Sequence, residues 1–120
     1  MPLPFRRADR VGDLIHRELS RLLLREIKDP RLTRVIISAV RVTDDLRYAR
    51  VLFTGAADAA GRAVELAGLQ SATGFLRGQL GKNLRLRYAP ELSFEADDSL
   101  EHGLRIAALL KEVAVENTGE

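Results

Sequence analysis

Residues 35–54 of the chain read VIISAVRVTDDLRYARVLFT. A run rich in β-branched residues at 35–43 and a run at 48–54 that holds Tyr48, Val51, Phe53 and Thr54 flank the tetrapeptide Asp44-Asp45-Leu46-Arg47. This pattern predicts two strands joined by a short turn. Alternation with a period of two predicts one core face and one wetter face. The predicted core face carries Ile36, Val40, Val42, Ala49, Val51 and Phe53, and the wetter face carries Arg41, Thr43, Arg50 and Thr54.

Helical patterns flank this hairpin on both sides. From Ala8 to Ile27, apolar residues recur at the spacing of an amphipathic helix, which Asp29-Pro30 ends because the residue before proline avoids the α region. The stretch from Arg62 to about Leu86 is also helical in pattern, but it holds four glycines, each costing about 1 kcal/mol relative to alanine. It therefore predicts two helices that meet at a kink formed by Ala72, Thr73 and Gly74.

A third strand and a last helix complete the predicted order. Apolar and polar residues alternate over residues 91–97, and Asp98 with Glu101 resembles a capping box that opens a helix over residues 99–115. The order α-β-β-α-kink-α-β-α predicts an α+β fold with helices packed on one face of a three-stranded sheet. A chain of 120 residues forms one core, so we expect a single domain over residues 1–115 and a frayed acidic tail over 116–120.

Few residues of this chain are candidates for chemistry. It has no cysteine, no glycine-rich phosphate loop and no Gly-x-Ser-x-Gly elbow. The doublets Asp44-Asp45 and Asp97-Asp98 lie at predicted turns, where aspartate bonds its own backbone, and His16 and His102 fit no metal-spaced motif. We therefore expect no enzyme, no metal and no cofactor, with a small α+β enzyme that uses the Asp doublets as an alternative. Without a signal peptide or a membrane span, the expected location is the cytoplasm.

Charge is distributed unevenly along the chain. The formal net charge is +2, but residues 1–34 and residues 66–90 each carry +4, whereas residues 91–120 carry −6. Residues 66–90 include no acidic residue. Basic segments of this kind predict an electropositive surface for nucleic-acid phosphates, from which the acidic last helix would face away.

The order strand, helix, kink, helix, strand is also the core of the KH module. That module grips nucleotides at the junction of its two helices, usually through Gly-x-x-Gly. Gly78-Gln79-Leu80-Gly81 matches this pattern, but a junction there leaves a second helix only from Lys82 to about Tyr88. We therefore interpret the match as accidental and place the junction at Ala72-Thr73-Gly74.

Four motifs follow one another along the chain, namely Lys28-Asp29-Pro30-Arg31-Leu32, Asp45-Leu46 with Ala49-Arg50-Val51, Ala72-Thr73-Gly74-Phe75-Leu76-Arg77, and Pro90-Glu91-Leu92-Ser93-Phe94 followed by Asp97. In this order and spacing they resemble the ribosome-binding factor A family, and the resemblance covers about residues 6–112. The resemblance implies a type II KH-like domain in which an Ala-x-Gly kink replaces the Gly-x-x-Gly loop. It also implies a factor that binds free small (30S) ribosomal subunits, is absent from translating ribosomes, assists late 16S rRNA processing near the 5′-terminal helix, and is linked to growth in the cold.

On this interpretation the basic segments contact rRNA, and the expected partners are the small subunit and its 16S rRNA. An assembly GTPase is a further candidate partner, no membrane is involved, and the protein is expected to be a monomer. A generic KH-like or helix-turn-helix regulator of nucleic acid and a protein-only interaction module remain alternatives. The candidate rRNA-binding residues are Arg6, Arg7, Arg10, Arg31, Arg77, Lys82, Arg85 and Arg87, with Tyr88 as the best candidate for stacking on a base.

Overall fold

A computed structural model describes residues 6–98 and 108–111 of the 120-residue chain. Residues 108–111 are helical, and the rest of the predicted last helix lies outside the described residues, together with Glu101 of the predicted capping box, His102 and the acidic tail. The elements are helix α1 (Arg7–Arg25), a short 3-10 helix (Pro30–Leu32), strands β1 (Ile36–Val42) and β2 (Tyr48–Thr54), helix α2 (Ala59–Asn83) and strand β3 (Glu91–Ala96).

The three strands form one mixed sheet in the order β1-β2-β3. β1 and β2 pair as the predicted antiparallel hairpin, and β3 runs parallel to β2. α1 packs against β1 and α2 against β3, and both helices bury leucines with Ala49, Val51 and Phe53 in one core. The predicted α+β class is confirmed.

Helix α1 buries the stripe that its sequence predicts. Ile15, Leu19 and Leu22 are fully buried, whereas Leu14 is exposed. At Gly12 the helix lies so close to the sheet that an added methyl group would be 3.2 Å from the carbonyl oxygen of Val40. No helix in the described part of the chain combines the length and apolar character of a membrane span.

A β-bulge in β1 changes which isoleucine reaches the core. The register between β1 and β2 shifts between Ile37 and Ala39, and one extra residue in a strand reverses the faces of the side chains before it. Ile37 is therefore buried (4% exposed) and Ile36 is exposed (66%), so the predicted core position of Ile36 is wrong. His16 donates its Nε2–H to the Ile37 carbonyl, 2.8 Å away, and thereby joins α1 to the bulge.

Helix α2 runs without interruption through Ala72, Thr73 and Gly74, so the predicted division into two helices at this point is wrong. Three leucines of α2, Leu69, Leu76 and Leu80, are fully buried. Burying one leucine contributes about 1.5–3 kcal/mol, which offsets a helical glycine's cost of about 1 kcal/mol.

The continuity of α2 bears on two further interpretations. The Gly78-to-Gly81 match lies inside the last turns of α2 and joins no two helices. The described helices α1 and α2 are themselves separated by the β1–β2 hairpin. The helix-turn-helix alternative, which needs two helices joined by a short turn, therefore loses its structural basis.

Glycines on the open side of α2 should lower the free energy of unfolding relative to alanine, because no neighbouring atom needs the space that they leave. A methyl group at Gly74 or Gly78 would meet no described atom within 4 Å. We expect Gly74→Ala and Gly78→Ala each to raise the free energy of unfolding by about 0.5–1 kcal/mol, because alanine loses less backbone entropy in a helix. Urea denaturation measures the change.

The matched control for this prediction is Gly68→Ala in the same helix. There the added methyl group would lie 2.9 Å from Cδ2 of the buried Leu32, so stability should fall or stay level. Loss of stability in Gly74→Ala would show that a bend at Gly74 is needed after all.

Candidate nucleic-acid interface

The start of α1, the β1–β2 turn and the segment between α2 and β3 surround a groove of about 790 Å³, called here the basic groove. Clefts of this size commonly hold ligands. The Glu91 N–H donates to the Arg47 carbonyl at 2.8 Å and so joins the segment before β3 to the turn. Basic side chains outnumber the two acidic ones, Asp45 and Glu91. The arginines of the groove are Arg7, Arg47, Arg77, Arg85 and Arg87.

The segment after α2 places Arg85 in a left-handed conformation, with φ at 53°. The N–H of Leu86 donates to the carbonyl of Gly81 at 3.1 Å, which is the bond of a Schellman motif at the end of a helix. Glycine usually occupies the left-handed position, since a side chain there costs about 1–2 kcal/mol. This chain instead has an arginine there, and its side chain lines the basic groove.

Leu46 in the β1–β2 turn shows the same left-handed backbone, with φ at 62°. Within the described residues, Leu46 and Arg85 are the two non-glycine residues with positive φ, and both line the basic groove. Strained backbone of this kind concentrates at binding and catalytic sites. The coincidence marks the groove as the candidate functional site.

Arg77 has a structural task in the wall of the groove. Its Nε donates to the Pro90 carbonyl and its Nη2 to the Ala89 carbonyl, both at 3.1 Å. The side chain is half-buried. Arg77 thus fixes the segment before β3, and a guanidinium has five N–H donors, so further donors remain for a ligand.

The aspartate doublets lie at opposite ends of the sheet. Asp45 accepts hydrogen bonds from the Thr43 hydroxyl at 2.6 Å and from the Arg47 N–H at 3.1 Å, and these bonds lower the pKa of its carboxyl group below the usual value. Asp97, beyond β3, accepts from the Ser38 hydroxyl at 2.6 Å. The two doublets therefore do not come together as a pair.

The other predicted rRNA-binding residues lie at different distances from the groove. Arg6 donates to Asp44 at 3.4 Å and so links the start of α1 to the β1–β2 turn, and Arg10 is exposed on the next turn of α1. Lys82 is exposed in the last turn of α2. Arg31 is not part of the groove: it lies beyond the far end of α1 and pairs with Asp29 at 2.7 Å, which lowers the pKa of that carboxyl group.

The sequence did not identify two residues of the groove, Arg47 and Tyr48, as candidates for binding. Arg47 lies in a stretch, residues 35–65, whose formal charge is zero, so segment charges do not reveal it. Tyr48 fits a strand pattern and looks like a sheet residue. The available signal was their position beside the hairpin turn, which carries function more often than a strand interior does.

A second concave surface of about 630 Å³ lies between the end of α1 and the start of β1. Its lining is largely aliphatic, including Leu23, Leu24, Ile27 and Ile36, with Lys28 and Asp29 as its charged members. These charges are opposite in sign, so this surface lacks the attraction for phosphate that the basic groove offers.

Comparisons with known proteins agree with one another. A family model described as ribosome-binding factor A matches residues 7–110. A relative from Syntrophobacter fumaroxidans, named Ribosome-binding factor A, is 50% identical over 113 residues, which are 92% of this chain and 97% of the relative. The crystal structure of ribosome-binding factor A from Thermus thermophilus superposes with a TM-score of 0.66 at 25% identity, over 74% of this chain and 93% of that one.

A further similar structure comes from a complex. It is a homology model of the Thermus thermophilus factor fitted into a cryo-electron microscopy map of the factor with the 30S subunit. It matches with a TM-score of 0.53 at 27% identity, over 71% of this chain and 93% of that one.

Proposed function

This chain belongs to the ribosome-binding factor A family, and we propose from this that it binds the small (30S) ribosomal subunit and assists its maturation. The observation that carries the proposal for this chain is the basic groove, where five arginines face two carboxylates. A similar structure fitted into a map of a 30S complex gives further support.

The finer steps of this proposed function follow the family resemblance. The protein binds free small subunits in the cytoplasm, acts late on 16S rRNA near its 5′-terminal helix, and leaves before translation begins. We expect the protein to act as a monomer, by binding rather than by catalysis, with an assembly GTPase as a further candidate partner.

The mechanism follows from how the groove presents its cations. Within residues 6–98 and 108–111, Arg7 and Arg85 form no ion pair, so their guanidinium groups are available to rRNA phosphates. An arginine can hold a phosphate through two parallel hydrogen bonds. Cations from three separate segments then recognise the shape of folded rRNA, and binding holds an immature conformation until maturation displaces the protein.

Sedimentation of cell extracts tests the proposed function. The protein should migrate with free small subunits and be absent from polysomes. Affinity for purified small subunits should fall with salt at a log-log slope of about −3 to −6, the value for four to six phosphate contacts. A flat salt response, or migration with polysomes, would contradict the proposal.

Arg85→Gly should change stability and binding in opposite directions. Glycine relieves the left-handed strain at the end of α2, so the free energy of unfolding should rise by about 0.5–1 kcal/mol. Loss of one phosphate contact should weaken small-subunit binding by about 10-fold. Thermal denaturation and a filter-binding assay measure the two effects. If the variant binds small subunits as tightly as the wild type, Arg85 is not part of the interface.

A further inference from the structure

The basic groove contains both tyrosines of this chain. The sequence holds two tyrosines and no tryptophan, and Tyr48 and Tyr88 both line the groove although 40 residues separate them. Tyr88 is 76% exposed and Tyr48 is 53% exposed. Aromatic rings offer a broad, flat apolar face on which another flat group can stack, and neither of these two rings contributes to the hydrophobic core.

The two rings are free to meet a ligand. Within the described residues, neither hydroxyl group has a hydrogen-bond partner, whereas buried tyrosines usually have one. The Arg87 guanidinium carbon lies 5.6 Å from the centroid of the Tyr88 ring, within cation–π distance. Arg87 covers part of that ring, and the large exposure of Tyr88 leaves room for another flat group.

The backbone holds Tyr48 in a fixed place. Its carbonyl accepts from the Thr43 N–H at 2.9 Å, and its own N–H donates to the Thr43 hydroxyl at 3.2 Å. The ring therefore projects from the rigid start of β2, where stacking on a ligand costs little conformational entropy.

We propose that the basic groove binds an unpaired stretch of RNA, with one nucleobase stacked on Tyr88 and another on Tyr48 while the arginines hold the phosphates. The inference rests on the proposed function and names the form of RNA that the groove takes. Stacking requires open base faces, which single strands present and duplexes hide. The arginines alone would bind phosphates or an acidic peptide, so neither ligand would need an exposed aromatic ring.

Fluorescence anisotropy with labelled RNA tests the inference on the full-length protein. The ligands are a single-stranded RNA decamer, a blunt RNA hairpin, an abasic ribose-phosphate decamer and polyglutamate of equal charge. The single strand should bind at least about 10-fold more tightly than the abasic chain, since stacking changes affinity by roughly 5- to 100-fold per base. The ring protons of the two tyrosines should shift upfield in NMR spectra with the single strand alone.

Substitutions of the two exposed tyrosines separate stacking from charge. Tyr48→Leu and Tyr88→Leu should each weaken binding of the single strand by roughly 5- to 100-fold and leave binding of the abasic chain unchanged. Tyr48→Phe and Tyr88→Phe keep the stacking ring and should bind like the wild type. Phe75→Leu, at an exposed aromatic residue of α2 outside the groove, is the matched control.

Each other outcome overturns the inference. Equal affinity for the abasic chain and the single strand would mean that the groove binds phosphates without stacking on bases. Tighter binding of polyglutamate than of the single strand would mean that the groove binds a protein partner. If the leucine variants bind the single strand and small subunits like the wild type, stacking is refuted while the proposed function stands. If reversal of the groove arginines also leaves small-subunit binding unchanged, the basic groove is not the interface and the inference fails with it. The proposed function itself fails only if the wild-type protein does not migrate with free small subunits.

Discussion

Reversal of Arg7, Arg85 and Arg87 to glutamate should abolish association with the small subunit, with a loss of affinity of about 100-fold or more. Each charged hydrogen bond to phosphate contributes about 1.5–3 kcal/mol, and each new carboxylate adds repulsion from rRNA. All three side chains are exposed, so the melting temperature should shift little. Sedimentation with purified subunits at fixed salt measures the loss.

The control for this prediction is a triple reversal of equal charge on other faces of the molecule. Lys28, Arg34 and Arg41 are exposed and lie outside the basic groove, so Lys28→Glu with Arg34→Glu and Arg41→Glu changes the net charge by the same amount. This variant should keep most of its affinity. Equal loss in both variants would mean that the net charge of the protein, rather than the groove, determines binding.

Arg77→Glu should unfold or strongly destabilise the protein, which separates Arg77 from the other arginines of the groove. The change removes two charged hydrogen bonds to the Ala89 and Pro90 carbonyls and places a carboxylate beside those oxygens. We expect the free energy of unfolding to fall by about 3 kcal/mol or more and the melting temperature to fall by more than about 10 °C. Thermal denaturation followed by circular dichroism checks this.

Two variants bracket the role of Arg77. Arg77→Lys keeps the charge but lacks the planar fork, so it should lose about half of that stability. Lys82→Glu, on an exposed position of the same helix, should change stability by less than about 0.5 kcal/mol. A fully stable Arg77→Glu that fails to bind small subunits would place Arg77 among the rRNA contacts rather than in the scaffold.

The sequence by itself determined the elements whose burial repeats along the chain. A period of 3.6 residues located α1, and a period of two located β2 at its observed bounds, because each element buries one face against the core. Four motifs in register were enough to indicate the family that the comparisons then showed. Turn chemistry likewise identified the structural role of Asp45, since an Asx turn is made by neighbouring residues.

Tertiary structure alone decided the features that depend on contacts between distant residues. The bulge that places Ile37 rather than Ile36 in the core arises from the pairing of β1 with β2. Helix α2 continues through Gly74 because the packing of its leucines outweighs the low helix propensity of glycine. The site followed the same rule. The segment charge placed Arg77 and Arg85 together as rRNA-binding candidates, but in the fold Arg77 donates hydrogen bonds to two backbone carbonyls. Arg47, from the β1–β2 turn, lines the groove as well. A groove built from three segments exists only once the chain is packed, since no local pattern records which side chains meet across it.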